Sequence, residues 1–161
     1  MRKEISPDGV AALLEQATRL IHSTGYAEGL YPAQWTALRY YSEAPGNART
    51  TAGLARFQGM SLGPVARTVR TLVEKGLLVR MANPSSRRAD LIAVTAAGME
   101  LLRRDPRAEL SGLIAQLPHE QRDGLAVGLE MLLRGMFSAQ KAMARRVEVA
   151  PLARVQGRAD A

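Results

Sequence analysis

Val10, Leu13, Leu14, Ala17, Leu20 and Ile21 recur at helical spacing across residues 8–23, which predicts an amphipathic first helix broken by Gly25 and Gly29. A second helix opens at Tyr31-Pro32-Ala33-Gln34-Trp35, where Pro32 suits the first helical position because its missing N–H is not needed there. It ends at the turn cluster Pro45-Gly46-Asn47. Thr50 or Thr51 caps a short third helix through Arg56, with Gly59 marking its end. Ser61 is the N-cap expected for a fourth helix, and Pro64 lies within its tolerant first turn. Val65, Val69, Leu72 and Val73 form the apolar stripe of that helix, leaving Gly63, Ala66, Arg67, Arg70, Thr71 and Glu74 on its other side before Gly76 stops it.

The pattern then changes period. Leu77–Met81 and Leu91–Val94 are short β-prone runs around Asn83-Pro84-Ser85-Ser86-Arg87-Arg88, which predicts a hairpin with a basic tip. Thr95 caps a helix that bends near Pro106 and runs on to Leu117. Pro118 starts a long last helix through Leu125, Leu129, Leu132, Leu133, Met136 and Phe137. The pattern fades near Val147, so 147–161 is expected to be a basic, frayed tail.

Charge sharpens this picture. The net charge of +7 is modest evidence alone, but Arg49 to Arg88 holds eight basic residues against one acid, Glu74. Two short helices joined by Gln58-Gly59-Met60 and followed by a basic-tipped hairpin describe a winged helix-turn-helix. Such a motif needs a second helix with one apolar stripe and an opposite face small or basic enough for a groove ~12 Å wide. The candidate DNA-binding residues are therefore Ser61, Gly63, Pro64, Arg67, Arg70, Thr71, Arg87 and Arg88. The expected fold is mostly α with a two-stranded β-wing. A winged lobe over 31–105 is embedded in a helical dimerisation region formed by 1–30 and 106–146, because those helices are too apolar for the lobe to bury alone.

Composition closes other routes. With no cysteine there are no disulfides, thiolate metal sites or thiol redox sensors, and His22 and His119 lie in no ligand-spaced cluster. No catalytic arrangement of Ser, His and Asp, phosphate loop or paired carboxylates stands out, so neither an enzyme, a cofactor nor a metal is expected. No apolar run approaches the ~20 residues of a membrane span and the N-terminus lacks a signal-peptide core, so a cytoplasmic location and no membrane partner are expected.

Five of the seven aromatic residues, Tyr26, Tyr31, Trp35, Tyr40 and Tyr41, fall within sixteen positions. They read either as a local core and interface or as the wall of a ligand pocket. In the second reading His22, Tyr26, Trp35, Arg39 and Tyr40 hold a small planar aromatic acid, its ring on the aromatic wall and its carboxylate on Arg39. His22 equally suits helix packing.

Across roughly 30–135 the chain resembles the MarR family of bacterial regulators. The resemblance rests on Leu30-Tyr31-Pro32-Ala33-Gln34-Trp35 with Leu38, on Leu54-Ala55 with Gly59-Met60-Ser61, on Leu72-Val73-Glu74-Lys75-Gly76-Leu77, and on the wing leading to Val94-Thr95-Ala96-Ala97-Gly98. It implies a triangular homodimer joined by its terminal helices, double-stranded operator DNA as partner, a helix in the major groove, a wing beside it, and release by a small, often aromatic, acid. The expected role is dimeric sequence-specific repression; the alternatives are a winged-helix protein-interaction module and a small-molecule enzyme using the aromatic cleft. The chain departs from the family pattern where Asn83 and Ser86 replace two wing acids and Arg70 stands where the family often has an acid. These changes imply a less preordered wing and stronger phosphate attraction.

Overall fold

The computed structural model describes residues 6–156, with side chains left out for Thr24 and from 144 onward. Seven α-helices and one antiparallel hairpin follow one another among the described residues: α1 (Pro7–Thr24), α2 (Pro32–Glu43), α3 (Thr51–Gln58), α4 (Leu62–Glu74), β1 (Leu78–Met81), β2 (Leu91–Val94), α5 (Ala96–Leu102), α6 (Arg107–Ala115) and α7 (His119–Gln156). The architecture is the mostly helical fold with a two-stranded wing that the pattern of apolar positions predicts. The chain divides into two compact units between Leu110 and Ser111, inside α6.

Local chemistry explains most boundaries in the first unit. Ser6, Thr50 and Thr95 each accept a bond from the backbone N–H three residues on, satisfying donors that a helix start leaves open. Gln34 folds back so that its amide oxygen accepts the Tyr31 N–H at 2.9 Å, which accounts for a buried glutamine at the start of α2. Gly59 ends α3 with φ 63°, a left-handed conformation that glycine adopts without a Cβ penalty. Gly53 has a different role: a Cβ there would strike the Ala48 carbonyl and the Tyr40 hydroxyl, so its small size lets α3 close on the Gly46–Ala48 turn.

The core belongs to the winged lobe. Leu30, Trp35, Leu38 and Tyr41 meet Leu54 of α3, Val65, Val69 and Leu72 of α4, and Leu78 and Ile92 of the wing. Truncating a buried leucine such as Leu72 to alanine costs about 2–5 kcal/mol in sites of this kind. The strands pair in the register Leu78 with Val94 through Met81 with Leu91. The Ile92 N–H also donates to the Arg49 carbonyl at 2.7 Å, tying β2 to the segment before α3.

Three expectations need adjustment. The helix after the wing does not bend at Pro106 but stops at Leu102 and restarts at Arg107, because proline disfavours helix at the residue before it. Ser61 is the N-cap of α4, yet its side chain makes no capping bond. The last helix continues to Gln156, through residues 147–156 of the stretch expected to fray. Residues 157–161 of that expected tail lie outside the described residues.

Outside the core, apolar side chains stand in water. On α1 these are Val10, Leu13, Leu14, Leu20 and Ile21; on α7 they include Leu125, Leu129, Leu132, Leu133 and Met136.

Candidate nucleic-acid interface

On α4, Val65, Val69 and Leu72 are buried, so helical periodicity turns Gly63, Arg67, Arg70 and Glu74 outward along one line. All four are exposed. Nothing lies within 4 Å of where a Cβ of Gly63 would stand, so this end of the helix is open to close approach. Among the described residues the Arg67 and Arg70 guanidinium groups have no hydrogen-bond or ion-pair partner. Pro64 is half-buried under this face. Thr71 is also half-buried and donates its hydroxyl to the Arg67 carbonyl at 3.1 Å, leaving its methyl and oxygen lone pairs to the surface.

The wing is ordered by its own polar residues. Asn83 Oδ1 accepts the Ser85 N–H at 3.0 Å, the Asn83 carbonyl accepts the Ser86 N–H at 3.1 Å, and Ser86 Oγ accepts the Arg88 N–H at 3.3 Å. Asn83 and Ser86 thus shape the backbone of the turn through local side-chain bonds. They offer no carboxylate to Arg87 or Arg88, and both arginines are exposed with side chains unpaired among the described residues. At the base of the wing, Arg80 meets Asp90 across the strands at 3.4 Å.

The residues considered for a ligand do not converge. Trp35 is wholly buried and donates its indole N–H to the Ala27 carbonyl at 3.3 Å, so it is core rather than the wall of an open cleft. Tyr26 packs against Tyr31 at the surface, ring centroids 4.9 Å apart, and His22 is exposed in the last turn of α1. Of the five, Arg39 and Tyr40 line a cavity of about 320 Å³ whose other walls are Thr36, Glu43, Ala44, Pro45, Ala48, Phe57 and Arg107. Thr36, Arg39, Tyr40 and Glu43 follow helical spacing on one face of α2, a signal present in the sequence; Phe57 and Arg107 come from other helices and carried none.

The cavity has a charged rim. Arg39 grips Asp105 with two bonds, of 2.6 and 2.9 Å, and Arg107 reaches Glu43 at 3.2 Å. Burial pushes the Asp105 carboxyl up, but the Arg39 hydrogen bonds, the Arg107 backbone N–H and the two arginine charges outweigh it and hold the group below the usual carboxylate range. Burial raises the Tyr40 phenol, with Arg56 opposing, and its hydroxyl donates to the Ala48 carbonyl at 2.8 Å. Among the described residues, no three histidines or carboxylates gather where they could hold a metal ion, and no helix is long and apolar enough to cross a membrane.

A two-helix unit with an outward basic helix face, followed by a basic-tipped hairpin, defines a winged helix-turn-helix. The sequence model of the MarR family matches residues 28–89, from the turn before α2 into the wing. Among solved structures, the chain is similar to a probable transcriptional regulator from Pseudomonas aeruginosa, with 26% identity and a TM-score of 0.63 over 78% of this chain and 97% of that one. It shares its fold with PcaV, a transcriptional regulator from Streptomyces coelicolor solved with its natural ligand, at 24% identity and a TM-score of 0.62 over 83% and 93% of the two chains. The fold also matches MepR of S. aureus, solved as a DNA complex, at 17% identity and a TM-score of 0.66 over 78% and 96%. No curated protein sequence matches the chain.

Proposed function

We propose that this protein is a dimeric, sequence-specific DNA-binding repressor that releases its operator when a small aromatic acid binds. One observation carries the DNA reading. The outward line of α4 presents Gly63, Arg67 and Arg70 free of partners among the described residues, with Arg87 and Arg88 equally free at the wing tip. In this reading α4 lies in the major groove, where Arg67 or Arg70 meets guanine edges. Ser61, Gly63 and Pro64 bring the start of the helix against the backbone, and Thr71 sits at the edge of the contact. Arg87 and Arg88 reach phosphates or the adjacent minor groove. Extensive free cationic surface favours polyanions over a small-molecule substrate, which argues against the enzyme reading.

Dimerisation is supported by the exposed apolar residues of α1 and α7, which a second copy would cover. Repression then follows from occupying a promoter, and the similarity to PcaV, solved with a ligand, supports control by a small molecule. The test is to select bound sites from random DNA at stated salt and footprint the product. Two half-sites ~34–36 Å apart, one helical turn, are expected for a two-fold dimer. A single asymmetric half-site would sink the dimer, and affinity without sequence preference would favour a protein-interaction module.

A further inference from the structure

We infer that Lys75 and Arg104 are positioning residues: by gripping the tip of the turn at 27–30 they fix α1 against the winged lobe, and so set the half-site spacing that a dimer accepts. The inference rests on the dimeric DNA-binding reading above and names what holds the two copies of α4 at one separation. Every residue of α1 from position 10 to 23 is exposed, so no packed face along its length sets its direction within the chain. That direction is set where α1 ends. Gly25 closes the helix end against α2, where a Cβ would stand 2.8 Å from Pro32 Cγ and 2.9 Å from the Ile21 carbonyl oxygen. The chain then reverses at once. The Leu30 N–H donates to the Ala27 carbonyl at 2.9 Å, and the Ala27 N–H returns a bond to the Leu30 carbonyl at 3.2 Å.

The base and the tip of this turn are held differently. At the base, Leu30 is buried in one core with Val65, Val69 and Leu72 of α4, and the Trp35 indole N–H donates to the Ala27 carbonyl. At the tip, Glu28 and Gly29 have φ of 52° and 75°, the pair of positive values that a two-residue reversal of this hand demands and that a glutamate rarely adopts. Both tip residues are exposed, so packing does not hold them. Two cations from elsewhere in the lobe do. The Lys75 ammonium donates to the Gly29 carbonyl at 2.7 Å, and Lys75 is itself fixed as the C-cap of α4, its N–H on the Thr71 carbonyl. Arg104, in the turn after α5, meets the Glu28 carboxylate at 2.9 Å. Both contacts are charge-assisted, and both can be removed without opening the core. Leverage makes them matter. With 18 residues α1 is about 27 Å long. A rotation of about 10° at the turn carries its far end ~5 Å, more than the ~3.4 Å of one base-pair step.

Binding of the full chain to the selected operator tests this, with the spacer between half-sites native, one base pair shorter and one longer, and with a single half-site as reference. Wild type should lose about tenfold or more on either altered spacer, because a rigid dimer fits one separation. The double variant Lys75→Met with Arg104→Met keeps apolar stems and removes both grips. It should bind the native operator about tenfold more weakly, a usual size for coupling between two sites, and bind all three spacers within about twofold of one another. Its affinity for the single half-site and the salt slope should match wild type, because neither residue touches DNA in this arrangement. Should the double variant fail to fold, Glu28→Gly removes the partner of Arg104 while suiting the positive φ, and should relax the spacing preference with half-site affinity intact. A folded variant that keeps the wild-type spacing preference would overturn the inference. So would an equal loss on the single half-site with a shallower salt slope, which would make these residues phosphate contacts instead. If wild type engages only one half-site, the dimer reading itself falls, and this inference with it.

Discussion

On α4 and the wing, Arg67, Arg70, Arg87 and Arg88 project into solvent without a side-chain partner among the described residues, whereas at the junction of α2 with α5 and α6 the arginines meet carboxylates. Arg39 holds Asp105, Arg104 holds Glu28 at 2.9 Å and Arg107 holds Glu43. The Lys75 ammonium adds a bond of 2.7 Å to the Gly29 carbonyl, so the tight turn at Glu28 and Gly29, where both residues have positive φ, is held by two cations. The same residue type therefore does two jobs in one lobe. Paired arginines fasten helices to one another, and unpaired ones leave their full charge for an external anion. Desolvation makes the pairing of Arg39 obligatory, because it is only 19% exposed, whereas Arg104 and Arg107 are exposed and pair because packing brings a carboxylate within reach. An exposed guanidinium with no carboxylate in reach is stable in water alone and has more to gain from a phosphate.

The contrast would break first at Arg39. Arg39→Met should lower folding stability by about 3 kcal/mol, since it leaves the Asp105 carboxylate half-buried without its guanidinium. Chemical denaturation measures this, and a loss below about 0.5 kcal/mol would put Arg39 in the same class as the surface arginines. Arg67→Ala should do the opposite, costing about 1–3 kcal/mol on the preferred DNA site with folding unchanged. Equal losses on preferred and random DNA would reduce Arg67 to backbone positioning.

Acid sharpens the comparison further. The Asp105 carboxyl lies below its ordinary value in the folded chain, so its pairing contributes stability fully above pH ~4, near the unfolded pKa, and loses it as pH falls through the lowered folded value. Wild type should therefore lose stability on acidification more steeply than Arg39→Met, and parallel pH profiles would remove Arg39 as the cause. Arg88→Ala should have the smallest effect: a uniform weakening on all DNA sequences and a salt slope shallower by about 0.9, the share of one phosphate contact. An unchanged slope would place Arg88 off the DNA.

Much of the winged lobe was legible in the chain. The stripe of Val65, Val69 and Leu72 told which side of α4 faces inward and hence that Arg67 and Arg70 face outward, because helical periodicity alone sets that relation. Thr50, Thr95, Gly59 and Gly76 marked element ends through chemistry confined to a few neighbouring residues. The ligand residues were less legible. A cluster of aromatics in sequence does not say which ring is core, and Trp35 proved to be fully buried while Phe57, outside the cluster, lines the cavity.

The sequence by itself determined the order of elements, the basic face of α4 and the basic tip of the wing, since each depends on periodicity or on residues within one turn of each other. Only the tertiary structure decided which arginines are spent internally. Arg39 and Asp105 stand 66 positions apart, and Arg107 and Glu43 stand 64 apart. No local pattern distinguishes an arginine that will meet a carboxylate from one that will not. That choice is made when α2 packs beside α5 and the start of α6: it half-buries Arg39, whose unpaired charge would be costly, and brings the exposed Arg107 within reach of Glu43.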